Sequence, residues 1–356
     1  MSDVAETTLL DSHGLTRQLD AFVIACAFDR AGKQAAFALG DGTLRLITLT
    51  DTQTWQTITA HDGAILTLSP DAALSGFVTG GDDGTFIRTT SDATTQTIAN
   101  FGGKWVEQTA SFWDGKSGIV AAAASKLVHL FKTDGTKLRS LEHPSTVTGI
   151  AFDARGKRIA ASHYNGASLW FVNSDAKPRL LEWKGSHTGI AIHPAAEAVV
   201  SAMQENALHG WRLPDGHDMR MSGYPTKPES LAFTRSGKYL ASAGADTIVL
   251  WPFFGGGPMG KPPVELAQLE NIICTRIACH PIDEVVAAGY TDGSVLIAEI
   301  ATKRVLRIAP AEHGPISALA WSPNGQHLAF GTEQGFAALL DFKRSVGETH
   351  APQTPP

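Results

Sequence analysis

Residues 149–172, GIAFDARGKRIAASHYNGASLWFV, decide how this chain folds. Apolar side chains alternate there with small or polar ones in three short runs, and RGK and NG interrupt the runs where a chain can reverse. Alternation with period two puts every second side chain on one face, so each run reads as a half-buried strand and the whole as an antiparallel meander. No helical spacing is sustained.

The same pattern recurs along the chain. The large residue that ends the first strand is Phe28, Leu68, Phe112, Phe152, Ile192, Phe233, Cys279 and Trp321 in turn, at separations of 40 to 46 residues. A second marker, in the turn after the second strand, is Asp41, Asp83, Ser125, Asn165, Asn206, Asp246, Asp292 and Gln334, and it keeps the same period. Units of 40 to 45 residues with four short strands each are the signature of a β-propeller, so the expectation is an all-β, single closed propeller of eight four-stranded antiparallel blades. The second strands are rich in Ala, Ser and Gly, as in AAFALG, IVAAAAS and VVAAGY, which suits places where neighbouring sheets converge. Fourth strands follow in most units, for example TWQTI and RVLRI, but the last unit lacks one, and Gly14 to Leu19 stands ahead of the first unit where such a strand would sit. The N-terminal strand is therefore expected to close the last blade, which also removes an exposed sheet edge. The expected organisation is an N-terminal tail over 1–13, the propeller over 14–342 and a disordered Pro-containing tail over 343–356.

These units resemble the WD40-repeat (WD-repeat) family across nearly the whole chain. That family's repeat carries His before the first strand, Ser or Thr in the second, Asp in the next turn and Trp in the third strand, joined in a structural tetrad. The fourth unit comes closest, with His143, Ser162, Asn165 in place of Asp, and Trp170; the sixth has Ser242, Asp246 and Trp251, with Tyr224 near the His slot; the second has His61, Thr79 and Asp83 without the Trp. No unit is complete, and the Trp-Asp dipeptide that ends the family's third strand is absent. The resemblance implies a rigid disc with no active site of its own, presenting loops to partner proteins.

Composition narrows the function classes. A formal net charge of −6 without a run of basic residues argues against a phosphate-binding surface for nucleic acid. Three cysteines in 356 residues do not make a disulfide framework, and the N-terminal sequence has acids where an export signal needs bases, so a cytoplasmic protein is expected. No apolar stretch approaches the length of a membrane helix, and a monomer is expected.

Three motifs invite a chemical reading. Gly255, Gly260 and Lys261 in GGGPMGKPP match a phosphate-cradling loop, but Pro262 and Pro263 replace the hydroxyl residue and helix start it requires. Cys274, Cys279 and His280 suggest a metal trio, yet residues five apart on a strand point to opposite faces. His280-Pro281 repeats His193-Pro194 at an equivalent turn, which suggests turn chemistry. His61, His143 and His313 fall in equivalent loops and suit the tetrad. No nucleophile elbow or zinc-protease motif occurs. The expectation is a non-enzymatic scaffold for protein–protein interaction without cofactor or metal, the alternative being a propeller enzyme or metal-handling protein with a site at the channel mouth. Loops entering the first strand and loops between second and third strands should share one face, and Asp82, Tyr164, Glu205, Thr291 and Glu333, with Trp105 and Tyr290 close by, are the candidate partner contacts, since Tyr and Trp bury much area at modest entropic cost.

Overall fold

The computed structural model describes residues 8–343. Within them the regular elements are all strands apart from one helical turn, Leu9–His13. The later part of the expected N-terminal tail is thus folded: Leu10 is buried among Ile308, Phe336 and Leu340. Residues 1–7 and the expected C-terminal tail from 344 onward lie outside the described residues.

Consecutive antiparallel strands build each sheet. The first consists of Val23–Phe28, Gln34–Leu39, Thr43–Thr48 and Asp51–Thr59. First strands pack one on the next around an axis, and Val23–Phe28 meets Ile316–Trp321 to complete the ring. The strand Gly14–Gln18 pairs with Phe336–Asp341 from Gly14 opposite Leu340 to Gln18 opposite Phe336, so the two ends of the chain share the last sheet.

Seven sheets result, and the expectation of eight blades is corrected accordingly. Six have four strands; the seventh has six and carries both the fourth and the fifth repeat. The cause is local. Arg158–Phe171 and Arg179–Ile192 each run unbroken for 14 residues. Asn165 and Gly166, at φ of 65° and 139°, redirect the first of these without leaving the ladder, so Ile159 to Ser162 pair with Gly149–Phe152 while Gly166 to Leu169 pair with the stretch from Arg179 to Glu182. Arg179–Ile192 then continues through Trp183 to Ser186 without a loop, and from His187 it pairs with Ala198–Met203. Where other repeats are separated by a turn, this pair shares the continuous strand Arg179–Ile192.

The core lies between sheets. Second strands such as Gln34–Leu39, Ala198–Met203 and His327–Thr332 are buried along their whole length, whereas the outer strand Asp51–Thr59 is mostly exposed. Small residues there have a steric purpose: a Cβ on Gly331 would lie 2.3 Å from Val23 of the next sheet, and one on Gly289 would lie 2.3 Å from Ile316. Each second strand thus yields room for the apolar residue that opens the neighbouring first strand, as close packing demands.

Candidate functional site

Hydrogen bonds place two sets of loops on one face. Phe101 N donates to Gly84 O at 2.8 Å, Thr291 N to Ile273 O at 2.9 Å and Glu333 N to Pro315 O at 3.0 Å, each joining the turn after a second strand to a connector that enters a first strand. Tyr164 N donates to Ser145 Oγ at 2.9 Å in the same way.

Beneath this face, buried rings link connector to strand, with different chemistry in each repeat. In the second, His61 Nδ1 lies 3.1 Å from Asp83 Oδ1 and its Nε2 lies 2.9 Å from Thr79 Oγ. With Nδ1 donating to the carboxylate, Nε2 accepts from the Thr79 hydroxyl. Burial alone would raise the Asp83 pKa, but the Thr85 amide, the His61 ring and the Thr85 hydroxyl together bring it down to about 2. In the sixth repeat Tyr224 fills the ring slot: Trp251 Nε1–H donates to Tyr224 Oη at 2.6 Å, Tyr224 donates to Ser242 Oγ at 2.5 Å, and Ser242 donates to Val249 O at 3.3 Å. Asp246 stands apart from this chain and accepts from Gln268 at 3.0 Å.

The fourth repeat, closest to the tetrad by sequence, does not assemble it. Trp170 Nε1 donates to His143 Nε2 at 3.2 Å, and His143 Nδ1 lies 3.3 Å from Lys126 O. Ser162 pairs instead with Thr148 Oγ at 3.1 Å, and Asn165 accepts from Gly185 N at 3.2 Å. Ser162 stands opposite Gly149 in the ladder, which puts the Thr148 hydroxyl within its reach, and Asn165 is taken by the continuous strand at Gly185.

Sequence reading missed three buried histidines in this region. His163 Nε2 lies 2.8 Å from Ser168 Oγ, His187 Nδ1 lies 2.6 Å from Ser201 Oγ, and His209 stacks on Trp183 with ring centroids 3.9 Å apart. Burial lowers the pKa of all three, and it lowers His129 and His143 to about 4, so these rings are neutral at physiological pH. A signal was available: His163 and His209 lie in strands whose neighbouring residues are mainly small or apolar.

Of the candidate partner contacts, Trp105 and Tyr164 are 56% and 57% exposed. Glu205, Thr291 and Glu333 are exposed and Asp82 is half-buried. Tyr290 is a correction: it is fully buried, with its hydroxyl donating to Ala267 O at 2.5 Å. It ends the strand Val285–Tyr290, and the pleat turns it inward one residue before Thr291 turns out.

The chemical motifs resolve into structure. Lys261 Nζ donates to Gly257 O at 2.7 Å and also to Phe254 O, 5.1 Å from the Phe254 ring centroid, so the glycine loop wraps its own ammonium with carbonyls. A phosphate cradle would instead turn N–H groups inward. Cys279 donates to Ala232 O at 3.5 Å and burial pushes its pKa up to about 12, while Cys274 is buried and its thiol is also raised. His280 Nδ1 accepts from Asp283 N at 2.9 Å and its Nε2 lies 3.1 Å from Gly325 O; His193 Nε2 lies 2.9 Å from Gly237 O. The two His-Pro turns are thus latches to the next repeat. Among the described residues no three His, Cys, Asp or Glu side chains are grouped to hold a metal ion.

Comparison with known proteins agrees with this architecture. Residues 277–351 match the WD40 domain of anaphase-promoting complex subunit 4, and residues 52–87 match the WD domain, G-beta repeat. Telomerase protein component 1 of Mus musculus is 24% identical over 353 residues, covering 92% of this chain but 12% of that protein. Autophagy-related protein 16 of Arabidopsis thaliana is 21% identical, over 63% of this chain and 45% of that protein. Serine-threonine kinase receptor-associated protein of Dictyostelium discoideum is 22% identical, over 63% of this chain and 75% of that protein. The chain therefore spans a small part of telomerase protein component 1 and under half of autophagy-related protein 16. The crystal structure of the computationally designed Ika8 protein superposes with a TM-score of 0.73 at 18% identity, covering 91% of this chain and 98% of that one, a likeness of fold alone. The matched stretches and the ring closure show that this chain carries WD40-like repeats in a β-propeller.

Proposed function

We propose that the chain is a non-catalytic platform in the cytoplasm, monomeric by itself, that receives a partner protein on the face bearing Trp105 and Tyr164. One observation carries this reading: two large aromatic side chains, each more than half exposed, stand on the loop face of a rigid ring. Exposed Trp and Tyr on a preorganised surface are the residue types that anchor protein interfaces, because they bury large area with few rotatable bonds. WD40 propellers serve in general as interaction modules, and the histidines beneath the face are engaged in structural hydrogen bonds rather than aimed at a cleft. Acidic residues outnumber basic ones over the chain, which favours a protein over a nucleic acid.

The test is affinity capture from the native cell with the wild-type chain and the double variant Trp105→Ala, Tyr164→Ala, each partner quantified by mass spectrometry. A partner whose recovery falls at least about tenfold while Tm stays within a few degrees supports the face. Unchanged recovery of every partner refutes it, and a lost fold shows that the two rings pack rather than bind.

A further inference from the structure

The face opposite Trp105 and Tyr164 carries a cavity of about 330 Å³ in the fused sheet, between the first turns of the fourth and fifth repeats. Its walls are Arg155, Lys157, Arg158 and Phe171 on one side and Pro194, Ala195 and Ala196 on the other. Three features distinguish it. Phe171 is 55% exposed. Arg158 is neutralised by buried Asp153 at 3.0 Å, and Asp153 is further occupied by Lys157 N at 2.9 Å, so the one carboxylate in the wall is spent. Arg155 and Lys157 are exposed and, among the described residues, have no carboxylate partner. Glu197 follows Ala196 in sequence but does not line the cavity.

The opposite wall is open because its residues are small. The seventh repeat has the same His-Pro turn, with Ile282 and Asp283 where the fifth has Ala195 and Ala196, and Asp283 lies 3.4 Å from His280. At the fifth turn, methyl groups replace both the bulk and the negative charge. Arg235 and Lys238 on the next turn are also exposed, and the Glu284 carboxylate meets that turn at Ser236 N, 3.2 Å away.

We propose that this cavity seats an acidic peptide segment of a partner, an apolar ring packing on Phe171 and flanking carboxylates meeting Arg155 and Lys157. Its volume lies at the lower end of ligand-binding clefts, about 300 to 1,000 Å³, which admits a few side chains of an extended segment. Two unpaired cations beside an exposed phenyl ring complement an anionic segment with an apolar anchor and repel a basic one. The proposal is independent of the aromatic face.

The probe is a fluorescein-labelled Glu-Glu-Phe-Glu-Glu peptide, followed by anisotropy on the full chain, with a Phe-to-Ala peptide and a Lys-for-Glu peptide as comparisons. Expected are binding of the first peptide that weakens with salt, at least about a tenfold loss in Arg155→Glu, Lys157→Glu, a several-fold loss in Phe171→Ser, and no change in Trp105→Ala, Tyr164→Ala. The milder pair Arg155→Gln, Lys157→Gln serves where charge reversal impairs folding and should lose several-fold. Absence of binding at about 1 mM peptide overturns the proposal, as does equal binding by the reversed variant. So does binding that is indifferent to the Phe in the peptide and displaced by inorganic phosphate, which would make the cavity a small-anion site.

Discussion

The second and sixth repeats perform the same task with opposite chemistry. Each ties a connector to a second strand through one buried ring, but His61 in the second works against the ionised carboxylate of Asp83, while Tyr224 in the sixth works through a neutral relay from Trp251 to Ser242. The contrast extends to the opposite face. At the first turn the second repeat buries Asp71, which takes Arg88 Nε at 2.6 Å and Nη2 at 3.2 Å, where the sixth has Thr234 bonding within its own turn. At both turns the position holds a side-chain oxygen that accepts a backbone N–H, and charge is optional.

The largest expected effect separates these two turns. Asp71 and Arg88 are 3% and 7% exposed, so Asp71→Ala leaves a guanidinium buried without its partner, which costs about 3–5 kcal/mol. Thr234→Ala removes a neutral hydroxyl and should cost about 1 kcal/mol. Urea denaturation of both variants measures the gap; equal losses would mean that the ion pair is no more critical than a hydroxyl.

A smaller effect tests the neutral relay. Tyr224→Phe keeps the ring and removes the oxygen, leaving the Trp251 N–H without an acceptor while Ser242 retains Val249 O. The expected loss is about 1–3 kcal/mol, the penalty of one unsatisfied buried donor. A variant as stable as the wild type would show that water replaces the hydroxyl.

Much of this was legible in the sequence because period and pleat are simple geometric rules. The paired markers located the turns, and the closing strand expected over Gly14 to Leu19 pairs from Gly14 to Gln18, because a last repeat without a fourth strand leaves an edge to fill. The blade count was misread because Asn165 and Gly166 redirect the chain within an unbroken ladder and Trp183 to Ser186 make a connector without a loop, which marker spacing does not register. Tyr290 was misplaced by one residue, enough to exchange outside for inside. The tetrad of the fourth repeat was read from residue types, whereas its hydrogen bonds depend on register: Ser162 stands opposite Gly149 in the ladder of first and second strands, which puts Thr148 beside it. The basic cavity was not anticipated, since it arises from what Ala195 and Ala196 leave empty.

Solution pH should distinguish the repeats further. His129, His143, His163, His187, His209 and His327 have folded pKa values below the ordinary 6.5, so the unfolded chain binds their protons first. Stability from these rings is complete above pH 6.5 and is lost as pH falls, towards about 4 for His129 and His143. Asp83 adds a second loss between 3.8 and about 2. Tyr224 responds at the other end: its pKa is raised from 10 to about 12, so its contribution is present below pH 10 and is lost as pH rises through 12. Melting curves against pH should therefore fall on both limbs, with Tyr224→Phe flattening the alkaline limb and His129→Gln the acid one. An acid limb that keeps its slope in His129→Gln would remove that ring from the account.

The smallest expected effect is a gain, and it lies in the turn that the sixth repeat builds with glycine. Gly237 there and Gly156 in the fourth repeat have φ of 73° and 62°, a left-handed conformation that glycine adopts at no steric cost. The fifth repeat has Ala196 at φ 57°, where its Cβ crowds the backbone. That strain is worth about 1–2 kcal/mol, and the extra freedom that glycine brings to the unfolded chain offsets part of its relief. Ala196→Gly should therefore stabilise the protein by about 0.5–1 kcal/mol, read as a small rise in the urea midpoint at unchanged slope. Because the substitution removes one methyl from the cavity wall and leaves Arg155, Lys157 and Phe171 untouched, the acidic peptide should bind with nearly unchanged affinity. Lower stability would mean that the Ala196 methyl packs against Pro194 or Phe171 more than it strains its own backbone, and the fifth turn would then owe its shape to that contact.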